Sequence, residues 1–307
     1  MHRVHWNWIG ILIMNLINNI KYNIRLWVQV IFTALTNGYL LGYMNGRIYK
    51  GESKKLCVPG LNCYSCPGAI ASCPIGSLQA VIGSRDYKIS FYMIGFLMIT
   101  GSLIGRFVCG WLCPFGLVQD LIYKIPGIKK IKEVPYDKYL RFLKYVVLIV
   151  FVIVLPLFIT NYSGYGKPWF CKLICPSGTL LAGIPLISMN TSLRSIIGSL
   201  FIWKLSILIL IIILSIKIYR PFCKYICPLG AIYGIFNKYS LYKYEIDYNK
   251  CTKCTLCYKK CDMNVAIYKT PNSVECIRCG KCIKGCPNKA IKITFSKSKE
   301  LIENVNT

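Results

Sequence analysis

The chain has 307 residues, 18 of them cysteine. Their spacing is that of metal ligands, not of disulfide partners in a short secreted scaffold. Near the C-terminal end, Cys251-x-x-Cys254-x-x-Cys257-x-x-x-Cys261 is followed by Cys276-x-x-Cys279-x-x-Cys282-x-x-x-Cys286-Pro287. Three cysteines on a tight loop can reach three corners of a cubane. The fourth, on the short helix beyond, reaches the neighbouring cluster. The spacing predicts one [4Fe–4S] cluster on Cys251, Cys254, Cys257 and Cys286. It predicts a second on Cys276, Cys279, Cys282 and Cys261. Zinc sites show paired cysteines separated by a longer spacer. Cys261 is followed by Asp262 in place of proline, which loosens that turn but removes no thiolate.

The other ten cysteines follow a different rule. Cys-Pro-x-Gly recurs at Cys73, Cys113, Cys175 and Cys227, and three of these have a second cysteine four residues earlier, at Cys109, Cys171 and Cys223. The first copy has Cys57, Cys63 and Cys66 upstream instead. Proline can open a helix without leaving an orphan N–H, and glycine lets backbone approach a cluster closely. Each motif therefore reads as an elbow that presents thiols and then starts a helix. Each follows one apolar segment, so successive elbows alternate between two membrane faces. That pairs Cys109 and Cys113 with Cys223 and Cys227 in one membrane cluster. It pairs Cys66 and Cys73 with Cys171 and Cys175 in an opposite-face cluster, leaving Cys57 and Cys63 as spare or alternative ligands. The two halves would be a duplication. Counting both kinds of site, two [4Fe–4S] clusters are expected in the module and up to four in total.

The elements that must carry these thiols are apolar. Hydrophobic residues make up 55% of the chain, and they are bunched in runs as membrane spans are. Four segments read as transmembrane helices: Leu26–Met44, Ile89–Val108, Tyr145–Ile159 and Leu200–Ile218. Thr179–Met189 is too short to span and reads as re-entrant or interfacial. Trp6–Ile20 reads as an interfacial helix, not a secretory signal. From Tyr244 the apolar runs vanish, giving a membrane domain over residues 1–243 and a small α+β ferredoxin-like domain with a polar tail over 244–307. The basic loop Lys124–Lys144 places both termini, and with them the ferredoxin domain, in the cytoplasm.

Composition also excludes functions. The net charge of +27 suits an anionic bilayer face and anionic clusters better than nucleic acid. The two histidines, His2 and His5, stand outside every apolar run, so no haem ligand is available there. No dinucleotide fingerprint or P-loop is present. Acidic residues are scarce, and Asp120, Glu133, Asp137 and Glu245 read as surface groups. Trp27, Trp111 and Trp169 read as interfacial aromatics. These features describe an electron-carrier subunit, with no catalytic residue of its own.

The octet at Cys251–Cys286 resembles the bacterial two-cluster ferredoxins. From about Leu26 to Phe295 the chain resembles the NapH and NosR type of polyferredoxin-like membrane proteins, carried by Cys109-Gly-Trp-Leu-Cys113-Pro and Cys223-Lys-Tyr-Ile-Cys227-Pro. The resemblance implies multi-pass insertion in the cell membrane. It implies electron relay between a membrane or cytosolic donor and a partner redox protein, with a quinone or quinol as one candidate partner. Alternative roles are an assembly or metal-reduction factor for another membrane enzyme, and a redox sensor.

Overall fold

The computed structural model describes residues 24–83, 88–159, 166–195 and 197–295. The expected interfacial segment Trp6–Ile20, both histidines and the polar tail beyond Phe295 lie outside these residues.

Helix α1 (Ile24–Thr36) stops at Asn37-Gly38, and the short α2 (Leu40–Asn45) follows, closed by Gly46 at φ 58°. The expected first span, Leu26–Met44, is therefore broken in two, because neither Asn nor Gly sustains a helix. A loop containing Cys57, Cys63 and Cys66 leads to α3 (Pro74–Ile82), and then α4 (Lys88–Ile104) runs 17 residues to Gly105 at φ 52°. The elbow pieces α5 (Phe107–Trp111) and α6 (Pro114–Tyr123) follow. Helix α7 (Asp137–Phe158) is longer than the expected Tyr145–Ile159. Its first turns carry Asp137, Arg141 and Lys144, whose charges interrupt the apolar signal. Its middle, Leu148–Val154, is a wide π-type stretch.

The second half repeats the plan. The elbow α8 (Trp169–Leu173) precedes α9 (Pro176–Met189), which includes a second π-type stretch at Thr179–Gly183. Helix α10 (Ser199–Lys217) leads to the elbow pieces α11 (Pro221–Tyr225) and α12 (Pro228–Phe236). Only α7 and α10, at 22 and 19 residues, combine the length and apolarity to cross a membrane among the described residues. Of the about four spans expected, two are long enough, and α1, α4 and α9 are shorter apolar helices. A crossing takes about 20 residues, with a range near 17–25.

Strand β1 (Lys243–Ile246) pairs antiparallel with β2 (Ile291–Thr294), Lys243 facing Thr294 and Ile246 facing Ile291. Between them lie the cysteine loops and two single-turn helices, α13 (Leu256–Lys259) and α14 (Lys281–Lys284). Each loop coils tightly. Lys253 and Thr255 flank Cys254 at positive φ, and Arg278 and Gly280 flank Cys279 in the same way. Non-glycine residues adopt this conformation only where the surroundings impose it.

This small module is packed hard against the helices. The N–H groups of Leu241 and Tyr242 donate to the carbonyls of Ser102 and Leu103. Asn237 donates to the carbonyls of Ser273 and Cys276 at 2.8 and 2.7 Å. One continuous core runs from Ile75 and Phe170 through Cys109, Cys113, Cys223 and Cys227 to Ile277 and Cys282.

Candidate metal centres

The four elbows share one local geometry. Cys73, Cys113, Cys175 and Cys227 each precede a helix that opens with proline, and each has extended backbone with ψ between 110° and 129°. Proline fixes the first helical turn, so the chain turns sharply at the cysteine, and the thiols of Cys73, Cys175 and Cys227 lie over the first-turn N–H groups of Gly76, Gly178 and Gly230 in the helix that follows.

The structure brings Cys109, Cys113, Cys223 and Cys227 together. Burial pushes the Cys227 thiol up, and the neighbouring Cys223, Cys109 and Cys113 push the same way. Two arginines three residues ahead of the first cysteine of each elbow lock the pair. Arg106 Nη2 donates to the carbonyl of Cys223 at 3.0 Å. Arg220 Nη1 donates to the carbonyl of Cys109. Both arginines are fully buried, and a buried cation requires a partner. Arg220 is paired with Asp120 at 2.6 Å, and Asp120 also receives Arg25 at 2.5 Å. Arg106 is paired with Glu275 at 2.8 Å, and Glu275 also receives Lys144. Asp120 is therefore a buried structural group, contrary to its surface reading. Asp137 likewise holds Arg141, Lys224 and the Tyr225 hydroxyl. Glu133 and Glu245 are exposed as expected.

The second elbow group lines a cavity of about 610 Å³ containing Cys63, Cys73, Cys171 and Cys175, with Lys204 on its wall. Cys66, expected here, instead lies against the Tyr43 hydroxyl at 3.0 Å. The reason is a tight turn, in which the Cys66 N–H bonds back to the Cys63 carbonyl. Cys63 is left on the cavity side and Cys66 on the side of α2. Cys57 lies behind the wall, 3.4 Å from Ser77 Oγ and 3.3 Å from Met93 Sδ. Burial pushes the Cys63 and Cys73 thiols up to about 12. Thiols so placed are protonated at neutral pH and become thiolates only with a metal.

The two elbow groups stand back to back. A Cβ on Gly60, in the loop before Cys63, would lie 3.1 Å from the Cα of Cys113, so this loop touches both sites. The buried ring of Tyr233 lies between them, its hydroxyl donating to the Pro59 carbonyl at 3.1 Å. Helix α3 has 9 residues, about 13 Å at the helical rise. Its far end, Gly83, accepts from Gly166 beyond the far end of α7 at 2.7 Å. The first elbow is thus drawn inward from that end by about the length of α3.

In the ferredoxin module, Cys251, Cys254, Cys257 and Cys286 line one pocket. Cys261, Cys276, Cys279 and Cys282 line another. The second lies beside the first elbow group. A Cβ on Gly110, next to Cys109, would fall 2.2 Å from the carbonyl of Ile277, next to Cys276. Trp111, expected at a membrane interface, belongs to this junction, and its indole donates to the Arg278 carbonyl at 3.0 Å.

Among the described residues no cysteine, histidine or acidic group of three closes tightly enough for a single metal ion. Three of the four-thiol groups line cavities instead, and the fourth, Cys109, Cys113, Cys223 and Cys227, is buried in the core. A zinc ion would draw its sulfurs in to about 2.3 Å, whereas a cubane offers four separate iron corners. Four thiols around a space, with buried cations beyond, fit a [4Fe–4S] cluster.

Fold and thiol groups together define an iron–sulfur protein. Residues 89–132, 145–192 and 200–243 each match a family model described as a 4Fe-4S binding domain. The chain is 31% identical to an uncharacterized protein of Methanocaldococcus jannaschii over 206 residues, 66% of this chain and 78% of that one. It is 24% identical to the ferredoxin-type protein NapH of Haemophilus influenzae over 65% of this chain and 64% of NapH. It is 26% identical to the regulatory protein NosR of Stutzerimonas stutzeri over 59% of this chain and 23% of NosR. The chain belongs to this family of ferredoxin-type 4Fe-4S binding proteins. No solved structure matches it.

Sequence reasoning missed Arg106, Arg220 and the place of Cys63. The arginines had a signal, because each stands three residues before the first cysteine of its elbow. Cys63 had none, since either Cys63 or Cys66 could reach.

Proposed function

We propose that this protein is a membrane-bound electron relay with four [4Fe–4S] sites in series. The order is Cys251/Cys254/Cys257/Cys286, then Cys261/Cys276/Cys279/Cys282, then Cys109/Cys113/Cys223/Cys227, then Cys63/Cys73/Cys171/Cys175. The observation that carries it is the contact that links the last three of these sites in succession. Ile277 meets Gly110 at one junction, and the loop at Gly60 meets Cys113 at the other. When bound, each cluster supplies one-electron chemistry. The protein holds the thiols, buries the Cys109/Cys113/Cys223/Cys227 group beside the cations Arg106 and Arg220, and sets Lys204 at the other elbow group.

Helices α1, α4, α7 and α10 are read as four membrane crossings, with the module on the cytoplasmic face beside the basic loop Lys124–Lys144. Elbow helices that draw thiols inward from the faces would bring sites closer than the roughly 30 Å thickness of a bilayer core. The exchange partners are redox proteins at the exposed Cys254 end. At the other end the partner is a membrane redox carrier, a quinone or quinol being one that fits. Iron and acid-labile sulfide analysis of anaerobically purified full-length protein tests the reading. It should give about four clusters per chain. Two clusters, both lost with the ferredoxin cysteines, would reject the elbow sites.

A further inference from the structure

Two buried glutamines repeat one geometry at the two elbow groups. Gln79 stands six residues after Cys73, and Gln119 six residues after Cys113. Gln119 Oε1 accepts from the backbone N–H of Phe222 at 3.2 Å, and its Nε2 lies 3.1 Å from the Cys223 sulfur. Gln79 Oε1 accepts from the N–H of Phe170 at 2.9 Å, and its Nε2 lies 3.3 Å from the Cys171 sulfur. Each Nε2 also donates to the carbonyl four residues back in its own helix, Phe115 or Ile75. Both side chains are essentially inaccessible, at 1% and 0% exposure.

The orientation of each amide is fixed by its surroundings. A backbone N–H can only donate, so the atom facing Phe222 or Phe170 must be the oxygen. The nitrogen must then face the sulfur. A chain would not bury an amide twice in this way for packing alone, since leucine fills the same volume without a polar group to satisfy. The third and fourth elbows carry Leu181 and Tyr233 at the corresponding position. The glutamines therefore belong to the first half of each group and reach across to the first cysteine of the second half.

We infer that Gln119 and Gln79 are a duplicated pair of positioning residues that raise the reduction potential of the two elbow clusters by donating an N–H to Cys223 and Cys171. A hydrogen bond to a ligating sulfur withdraws electron density from it and favours the cluster state carrying the extra electron. The second bond, from Phe222 or Phe170 to Oε1, holds the amide so that its nitrogen cannot turn away. The inference rests on the reading that both elbow groups hold clusters, which the iron analysis of the unaltered protein tests separately.

The test is an EPR-monitored redox titration of full-length, anaerobically purified protein carrying Gln119→Leu, Gln119→Glu or Gln79→Leu. Only the part of the bond that strengthens on reduction moves the potential, so the reduced fraction at a fixed potential should fall several-fold, a tenfold fall being about 59 mV for a one-electron couple. Gln119→Leu should shift one cluster signal downward, and Gln79→Leu should shift a different one. Gln119→Glu keeps the acceptor for Phe222 but puts a second oxygen against the sulfur, so it should shift at least as far as leucine. Full iron content with unchanged potentials would overturn the inference, as would an upward shift. Loss of the cluster in both Gln119 variants would make the amide a folding element only and would also overturn it.

Discussion

Arg106 donates to the carbonyl of Cys223 at 3.0 Å from the other half of the molecule. Its counterpart Arg220 returns the bond to Cys109. This exchange is the core of the duplicated architecture, because each elbow is held closed by the residue that introduces the other. It also carries the ferredoxin module, since Arg106 extends on its far side to Glu275.

Glu275 should be the main electrostatic fastening between module and helices. Burial opposes its ionisation, yet Arg106 and Lys144 hold its carboxyl down to about 2. Removing the charge with Glu275→Gln leaves two buried cations uncompensated, at a cost of about 3–5 kcal/mol. Thermal unfolding of the detergent-solubilised protein should show the loss. The folded value is below the ordinary ~4.3 of a glutamate. The contribution is therefore complete above about pH 4.3 and disappears as pH falls toward 2. An unchanged melting temperature in the variant would place the fastening elsewhere.

Cys286→Ala should damage the cluster held by Cys251, Cys254 and Cys257, with which it shares a pocket. It should spare the cluster of its nearer neighbours Cys276, Cys279 and Cys282. EPR of the reduced protein distinguishes the two signals. Cys261→Ala should give the complementary loss.

Cys63→Ala and Cys66→Ala should differ sharply. The first should remove the signal that Cys73→Ala, Cys171→Ala and Cys175→Ala also remove, because Cys63 lines the same cavity. The second should leave that signal in place, since Cys66 is turned to Tyr43. The reverse result would restore the assignment suggested by spacing alone.

Cys113→Ala and Cys227→Ala should abolish one common signal, and the double variant should lose no more than either single. The reason is that both thiols sit in one buried group with Cys109 and Cys223. Two different losses would mean that each elbow finds its own partner.

Cluster assembly should strengthen as pH rises. Burial pushes the Cys63, Cys73 and Cys276 thiols up to about 12, so loading them must release protons. Anaerobic reconstitution followed by absorbance should be more complete at pH 8.5 than at pH 7. Equal yields would indicate that the thiols ionise without the metal.

The sequence by itself determined the chemistry. Cysteine spacing in the octet is local, within a dozen residues, and the cubane imposes it on the chain directly. The Cys-Pro-x-Gly repeat is equally local, since proline dictates the turn wherever it occurs. Tertiary structure decided which elbow thiols share a site, and with which charges. Cys63 and Cys66 differ only in the side of one turn they occupy, and that side depends on Tyr43, twenty residues away at its nearest. Asp120 reads as a surface acid until Arg220 is folded onto it from 100 residues away, and nothing in the sequence singles out Glu275, which Arg106 reaches from 169 residues away. Span lengths were legible only where the apolar run was unbroken, as in α10. In α7, charges that pair with the docked module hid the first turns of the helix, and only the packed structure shows why they are there.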